Sequence, residues 1–306
     1  MNSLFVNPEN KGSNIADTVS AIQDEAWRQR GDEPSRSSNS GIFIVIPAYN
    51  EGPVIQEILF TLASNRDIKE IGCQAVIVDD GSTDDTWKNV VMFISSSGSI
   101  NEENRLENRL EVHLLHHVVN LGQGAALATG IQYALAEGAQ MIVTFDADGQ
   151  HLVEDIPSLV APISAGLADV ALGSRFLPTV TPKEEDSARS SREDGQSAFN
   201  IPWPRRMLLK MAILFTGLTE KIWLSDVHNG LRAFSAGAAG QIKITQNRMA
   251  HASEIIHEIA RLNLRYVEVP VHVRYTEYSR KKGQRAFDAL NVIVEMLEVL
   301  FTGEEK

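Results

Sequence analysis

Short apolar runs alternate with helix-patterned stretches from residue 42 to residue 174, and this alternation restricts the fold more than any other feature of the chain. "IFIVIP" (42–47), "CQAVIVDD" (73–80), "EVHLLHH" (111–117), "QMIVTF" (140–145) and "ADVALGS" (168–174) are short, apolar and β-rich. Between them, "GPVIQEILFTLAS" (52–64), "STDDTWKNVVMFIS" (82–95), "GQGAALATGIQYALAEG" (122–138) and "LVEDIPSLVAPISAG" (152–166) carry helical spacing. Strands buried on both faces and joined by helices predict an α/β protein with a mostly parallel sheet covered on both sides. In such sheets ligands bind beyond the carboxyl ends of the strands. Four polar loops fall there: 47–51, 79–83, 120–124 and 146–151.

Beyond residue 175 the pattern loosens. Residues 1–40 are polar and predict a flexible arm, and the charged run 178–200 predicts a mobile insertion. A basic-to-apolar helix is expected over 203–223, a turn into a short strand over 226–234, a helix over 253–264 and a strand over 265–275. A basic loop (276–285) and an amphipathic helix with its tail (286–306) complete the chain. The 306 residues suffice for one large domain, with 41–285 as its body.

Charge and cysteine content narrow the function classes. A formal net charge of -12 argues against a nucleic-acid partner and leaves a nucleotide ligand open. The lone Cys73 permits no intrachain disulfide and suits a reducing compartment. The N-terminus lacks the basic-then-apolar order of a secretory signal, and no apolar run reaches the length of a membrane span. A cytoplasmic protein, peripheral at the inner face of a membrane if it acts on lipid, is expected.

The loop chemistry is more specific. Asp146, Asp148 and Gln150 alternate after a strand, and their oxygens are hard ligands suited to Mg2+ or Mn2+. Ala147 and Gly149 leave room for a ligand, and His151 reads as a support at the head of the next helix. In "VDDGSTDDT", Asp79 and Asp80 suit a nucleobase or ribose, while Asp80, Ser82 or Thr83 is expected to cap the following helix. "NLGQGAALATG" departs from a dinucleotide fingerprint, because Leu127 stands where Gly or Ala is needed; Asn120 and Gly122 are its better functional candidates. Arg175 and Arg232 suit phosphate clamping or a surface ion pair.

Taken in order, "IPAYNE", "VDDGSTDDT", "NLGQGAAL", "FDADGQH", "GSRF" and "DVHNGLRAF" resemble a family 2 glycosyltransferase of GT-A fold, in the branch of dolichol- and polyprenol-phosphate sugar transferases. The resemblance implies a Rossmann-like three-layer α/β/α domain. It implies that Pro47, Ala48, Tyr49, Asn50 and Glu51 surround the nucleoside of a UDP- or GDP-sugar, and that Asp79 contacts the base. Asp146, Asp148 and Gln150 would bind the divalent metal and the diphosphate. Arg175, with the segment from Asp226 to Arg232, would lie near the acceptor or the phosphates. Inverting transfer to a lipid phosphate follows, with a soluble glycan or protein hydroxyl as the alternative acceptor and a non-catalytic nucleotide-sugar binder as the alternative class. A hydroxyl acceptor would need a base, for which Asp226 and then Glu254 are the candidates.

Two departures stand out. Many relatives carry lysine at the position of Gln123, and the C-terminal membrane spans that the branch often carries are not expected from this sequence. The last helix instead draws a polar stripe through Asp288, Asn291, Glu295 and Glu298, which suits a membrane surface, a small membrane partner or a second copy of the chain.

Overall fold

In a computed structural model of the chain, residues 41–96, 110–178, 222, 224–248 and 250–274 are described. The arm, nearly all of the 178–200 insertion, the helix expected at 203–223 apart from Ile222 and Leu224 at its edge, the basic loop and the C-terminal helix all lie outside these residues.

The five leading apolar runs form strands as expected: β1 (Ile42–Ala48), β2 (Gln74–Asp79), β3 (Glu111–His116), β4 (Met141–Thr144) and β5 (Val170–Ser174). They are joined by α1 (Gly52–Ser64), α2 (Arg66–Ile71), α3 (Thr86–Ser96), α4 (Gln123–Ala136) and α5 (Ile156–Ser164). Then follow β6 (Arg232–Ser235), α6 (Ala236–Gln241), α7 (His251–Arg261) and β7 (Tyr266–Pro270).

Among the described residues one seven-stranded sheet results, in the order β3-β2-β1-β4-β6-β5-β7. Only β6 runs antiparallel, wedged between β4 and β5; every other neighbouring pair is parallel. The side-chain period of two divides β1 between two cores. Ile42, Ile44 and Ile46 pack with α1, α3 and α5 through Ile55, Leu59, Val90, Phe93, Ile156 and Leu159. Phe43 and Val45 face α4, α6 and α7 through Ala126, Leu127, Ile131, Ala238, Ile255 and Ile259. Both faces are therefore covered, which gives the three layers expected of the fold.

Two short helices escaped the sequence pattern. α2 is capped by Asn65, whose side chain accepts from Ile68 N–H, and it closes on a left-handed Gly72. α6 is capped by Ser235 through Ala238 N–H. Each has six residues, too few for a periodicity to show. The third helix also starts later than expected. Asp84, rather than Asp80, Ser82 or Thr83, accepts the Thr86 N–H at its head.

Candidate active site

The four polar loops meet at one edge of the sheet around a cleft of about 580 Å³. Their local bonds explain why they hold their shapes. After β1 the chain turns through Asn50, which has a positive φ of 54°. Its N–H donates to Ser82 Oγ, and its Oδ1 accepts from Thr83 N–H. Glu51 N–H donates to Thr86 Oγ1, and Gly52 N–H to Asp84 Oδ2. The first loop is thus stitched to the second.

Asp80 organises the third loop. Its Oδ1 accepts from Leu121 N–H at 2.9 Å and meets His117 Nδ1 at 2.7 Å; its Oδ2 accepts from Gly122 N–H at 2.7 Å. The other imidazole nitrogen of His117 meets Thr129 Oγ1 on α4. Asp79 is fully buried, accepts from Ser82 N–H and meets His116 Nδ1.

The fourth loop carries the acids. Asp146 Oδ1 accepts from Gln123 Nε2 at 2.8 Å, and Oδ2 meets His151 Nε2 at 3.1 Å. Burial alone would raise its pKa; the hydrogen bond and charge of His151, helped by His251 and Arg232, outweigh it and hold the carboxyl below its usual range. Asp148 goes the other way, raised by burial and then by the charge of Asp146, although Gln150 N–H donates to it. Two neighbouring half-buried carboxylates repel each other, and a cation between or beside them would relieve that repulsion. The donor set fits a hard divalent ion held by one or two carboxylates and completed by ligand phosphates. Among the described residues there is no group of three His, Cys, Asp or Glu that could hold a metal without such a ligand.

Arg175 supplies the positive wall. It follows β5, lines the cleft, and donates through Nε (2.6 Å) and Nη2 (2.7 Å) to the two oxygens of Asp226. Burial would raise the Asp226 pKa, but the Arg175 bonds and charge prevail and hold it below the usual carboxylate range. Asp226 is itself fixed from β7, where Glu268 Oε1 accepts from the Ser225 and Asp226 N–H groups.

Of the residues nominated from the sequence, Pro47, Tyr49, Glu51, Asp80, Asn120, Gly122, Asp146, Asp148, Gln150 and Arg175 line the cleft. Asn50, Asp79, Asp226, Arg232 and Glu254 are not among its lining residues. Arg232 is buried and donates to the carbonyls of Asn229, Val227 and Ala252, with burial lowering its pKa to about 10. It thus braces the turn 226–232 rather than forming a surface ion pair. Glu254 accepts from Thr245 N–H and Gln246 N–H and bonds the Thr245 hydroxyl.

Three polar side chains of the cleft were not singled out from the sequence. His228 and Asn229 fall inside a quoted motif, but neither residue type signals a role by itself; burial, then the charge of Arg232, lowers the His228 pKa. Arg248 lies in "QNRMAH", a polar run with no motif, and reaches the cleft only through the fold.

Comparison with known proteins fixes the family. The model of the family described as Glycosyl transferase family 2 matches residues 43–235, more than half of the chain. The chain belongs to glycosyltransferase family 2. This glycosyltransferase is 31% identical over 258 residues to the UDP-N-acetylglucosamine–dolichyl-phosphate N-acetylglucosaminyltransferase of Methanococcus voltae, covering 84% of this chain and 94% of that protein. It is 25% identical over 281 residues to the polyprenol monophosphomannose synthase of Mycolicibacterium smegmatis, covering 91% and 93%. Among solved structures, glucosyl-3-phosphoglycerate synthase from Mycobacterium tuberculosis superposes with a TM-score of 0.53 at 18% identity, covering 94% of this chain and 85% of that one. The GT-A fold expected from the motifs is the fold observed.

Proposed function

We propose that this glycosyltransferase moves a sugar from a nucleoside diphosphate donor, of UDP- or GDP-sugar type, to the phosphate of a polyprenyl-type lipid, with inversion at the anomeric carbon. The observation that carries the reading is the pairing of a half-buried diacid, Asp146 and Asp148, with the oriented guanidinium of Arg175 in one cleft. The acids suit Mg2+ or Mn2+ shared with a diphosphate, and the arginine suits a phosphate oxygen. Two relatives named for dolichyl-phosphate or polyprenol substrates support the acceptor class.

An acceptor phosphate oxygen attacks the anomeric carbon from the face opposite the leaving group. The bond to the donor diphosphate breaks as the new carbon–oxygen bond forms, and its electrons stay with the departing diphosphate. A divalent ion, when bound, supplies positive charge against that departure. Gln123 and His151 hold Asp146 in one orientation, and Asp226 holds Arg175. The acceptor is already an anion, so no proton need be removed. This fits the placement of the two base candidates: Asp226 is occupied by Arg175, and Glu254 by the backbone of 245–246.

Such an acceptor implies work at a membrane surface; among the described residues no helix is long and apolar enough to cross one. The test is transfer of radiolabelled sugar from a panel of UDP- and GDP-sugars, with Mn2+, to polyprenyl phosphate in liposomes. Mild-acid-labile label in the lipid phase is expected, lost with EDTA and in Asp148→Ala. Label that appears only on soluble hydroxyl acceptors would overturn the acceptor assignment, and transfer indifferent to EDTA would overturn the metal.

A further inference from the structure

A strap that crosses Gly122 and Gly124 shows how a second cationic group is held at the cleft. Residues 245–248 run over the turn before α4 so closely that a Cβ on Gly122 would stand 2.1 Å from Asn247 O, and one on Gly124 2.0 Å from Gln246 O. The two glycines of "GQG" are therefore required by the strap, whatever ligand the loop meets. The strap backbone is pinned along its length. Glu254 accepts from Thr245 N–H and Gln246 N–H at 2.9–3.0 Å. Asn247 O accepts from Gly124 N–H at 2.9 Å. Arg248 O accepts from His251 N–H and lies 2.6 Å from His251 Nδ1.

Among the described residues nothing engages the head group that this backbone presents. Arg248 lines the cleft, and four acids, Glu51, Asp80, Asp146 and Asp148, line it too. Yet the Arg248 guanidinium has no ion-pair partner among the described residues, whereas Arg175 and Arg232 each donate through Nε and Nη2 to protein acceptors. A cation on a fixed backbone with an uncommitted fork is suited to an anion that arrives from outside, because little ordering remains to be done on binding.

We infer that Arg248 is a phosphate-binding residue of this cleft and that Glu254 is its positioning residue, acting through the strap. This rests on the proposed transfer from a nucleoside diphosphate. The phosphate is that of the donor or that of the acceptor, and the two sources separate by experiment. Binding of UDP and GDP with Mn2+ is measured by calorimetry on the full chain, beside KM for polyprenyl phosphate.

Arg248→Ala is expected to weaken one of these about tenfold or more, the loss of a charge-assisted hydrogen bond. Weakened UDP or GDP binding assigns the donor; raised KM for polyprenyl phosphate with intact nucleotide binding assigns the acceptor. Glu254→Ala should weaken the same ligand, Glu254→Gln should weaken it less, and Glu254→Ala should add nothing in the Arg248→Ala background. A melting curve for each variant excludes unfolding as the cause. Arg248→Ala within about twofold of wild type for both ligands would overturn the assignment of Arg248. Losses that multiply in the double variant would overturn the positioning role. A wild-type chain that binds neither nucleotide, with Asp148→Ala no different, would instead overturn the reading on which this one rests.

Discussion

Asp226→Asn is the substitution that best separates a clamp from a general base. The Asp226 side chain is fully buried, and that of Arg175 is 14% exposed. Asp226 accepts from Nε, from Nη2 and from the Arg175 backbone N–H at 2.6, 2.7 and 3.2 Å. Asparagine keeps the shape and one acceptor but loses the charge, leaving a mostly buried guanidinium short of a partner. Removing one member of such a pair costs about 3–5 kcal/mol, and the remaining acceptor and the cleft beside Arg175 bring the expectation to about 2–3 kcal/mol. For a chain of this size that lowers Tm by about 3–5 °C. Transfer should fall with it, through a misplaced Arg175. The pH dependence is fixed by the direction of the Asp226 shift. Its folded pKa is depressed, so its contribution is fully present above the unfolded value of about 3.9 and is lost as pH falls through the folded value. The Tm gap between wild type and Asp226→Asn, followed by circular dichroism, should be level from about pH 8 to about pH 5 and narrow below about pH 4. A variant with unchanged Tm and abolished turnover would refute the clamp and restore Asp226 as a base, and a gap that widens on acidification would refute the assigned direction.

Asp80→Ala removes the acceptor for Leu121 N–H, Gly122 N–H and His117, so a loss of about 2–3 kcal/mol is expected in urea unfolding, with slack in the 117–122 loop read by faster amide exchange. Gly230→Ala would place a Cβ 2.1 Å from Asp146 Oδ2; Mn2+-dependent nucleotide binding should fall about tenfold in calorimetry, while the sheet survives with a cost of about 1–3 kcal/mol. Cys73 is buried, and burial raises its thiol pKa to about 12, so the native protein should react with a thiol reagent at neutral pH only as fast as it opens, with the full rate recovered in denaturant.

The parts of this molecule that could be read from residue order are those in which local pattern and global fold agree. β1 is apolar at every position and buried at every position, so its run alone announces a central strand. Asp146 and Asp148 could be nominated because a diacid after such a strand falls at the edge where ligands bind. What order alone could not show is which polar groups are already spoken for. Asp226 and Glu254 carry the chemistry of a base, yet each is consumed by a neighbour 51 or 8 to 9 residues away. The glycines of "GQG" suggest a phosphate loop, yet what presses on them is the strap at 246–247, which comes more than a hundred residues later. Arg248 is the converse case. Nothing around it in the chain marks it, and it becomes a candidate only because α7 and α4 hold its backbone at the cleft while its charge meets no ion-pair partner among the described residues. A motif selects residues by type, whereas a site selects them by what their neighbours leave free. At this cleft the two criteria coincide at Asp148 and part at Asp226 and Arg248, which is why those last two positions separate a base mechanism from a phosphate-clamping one most sharply.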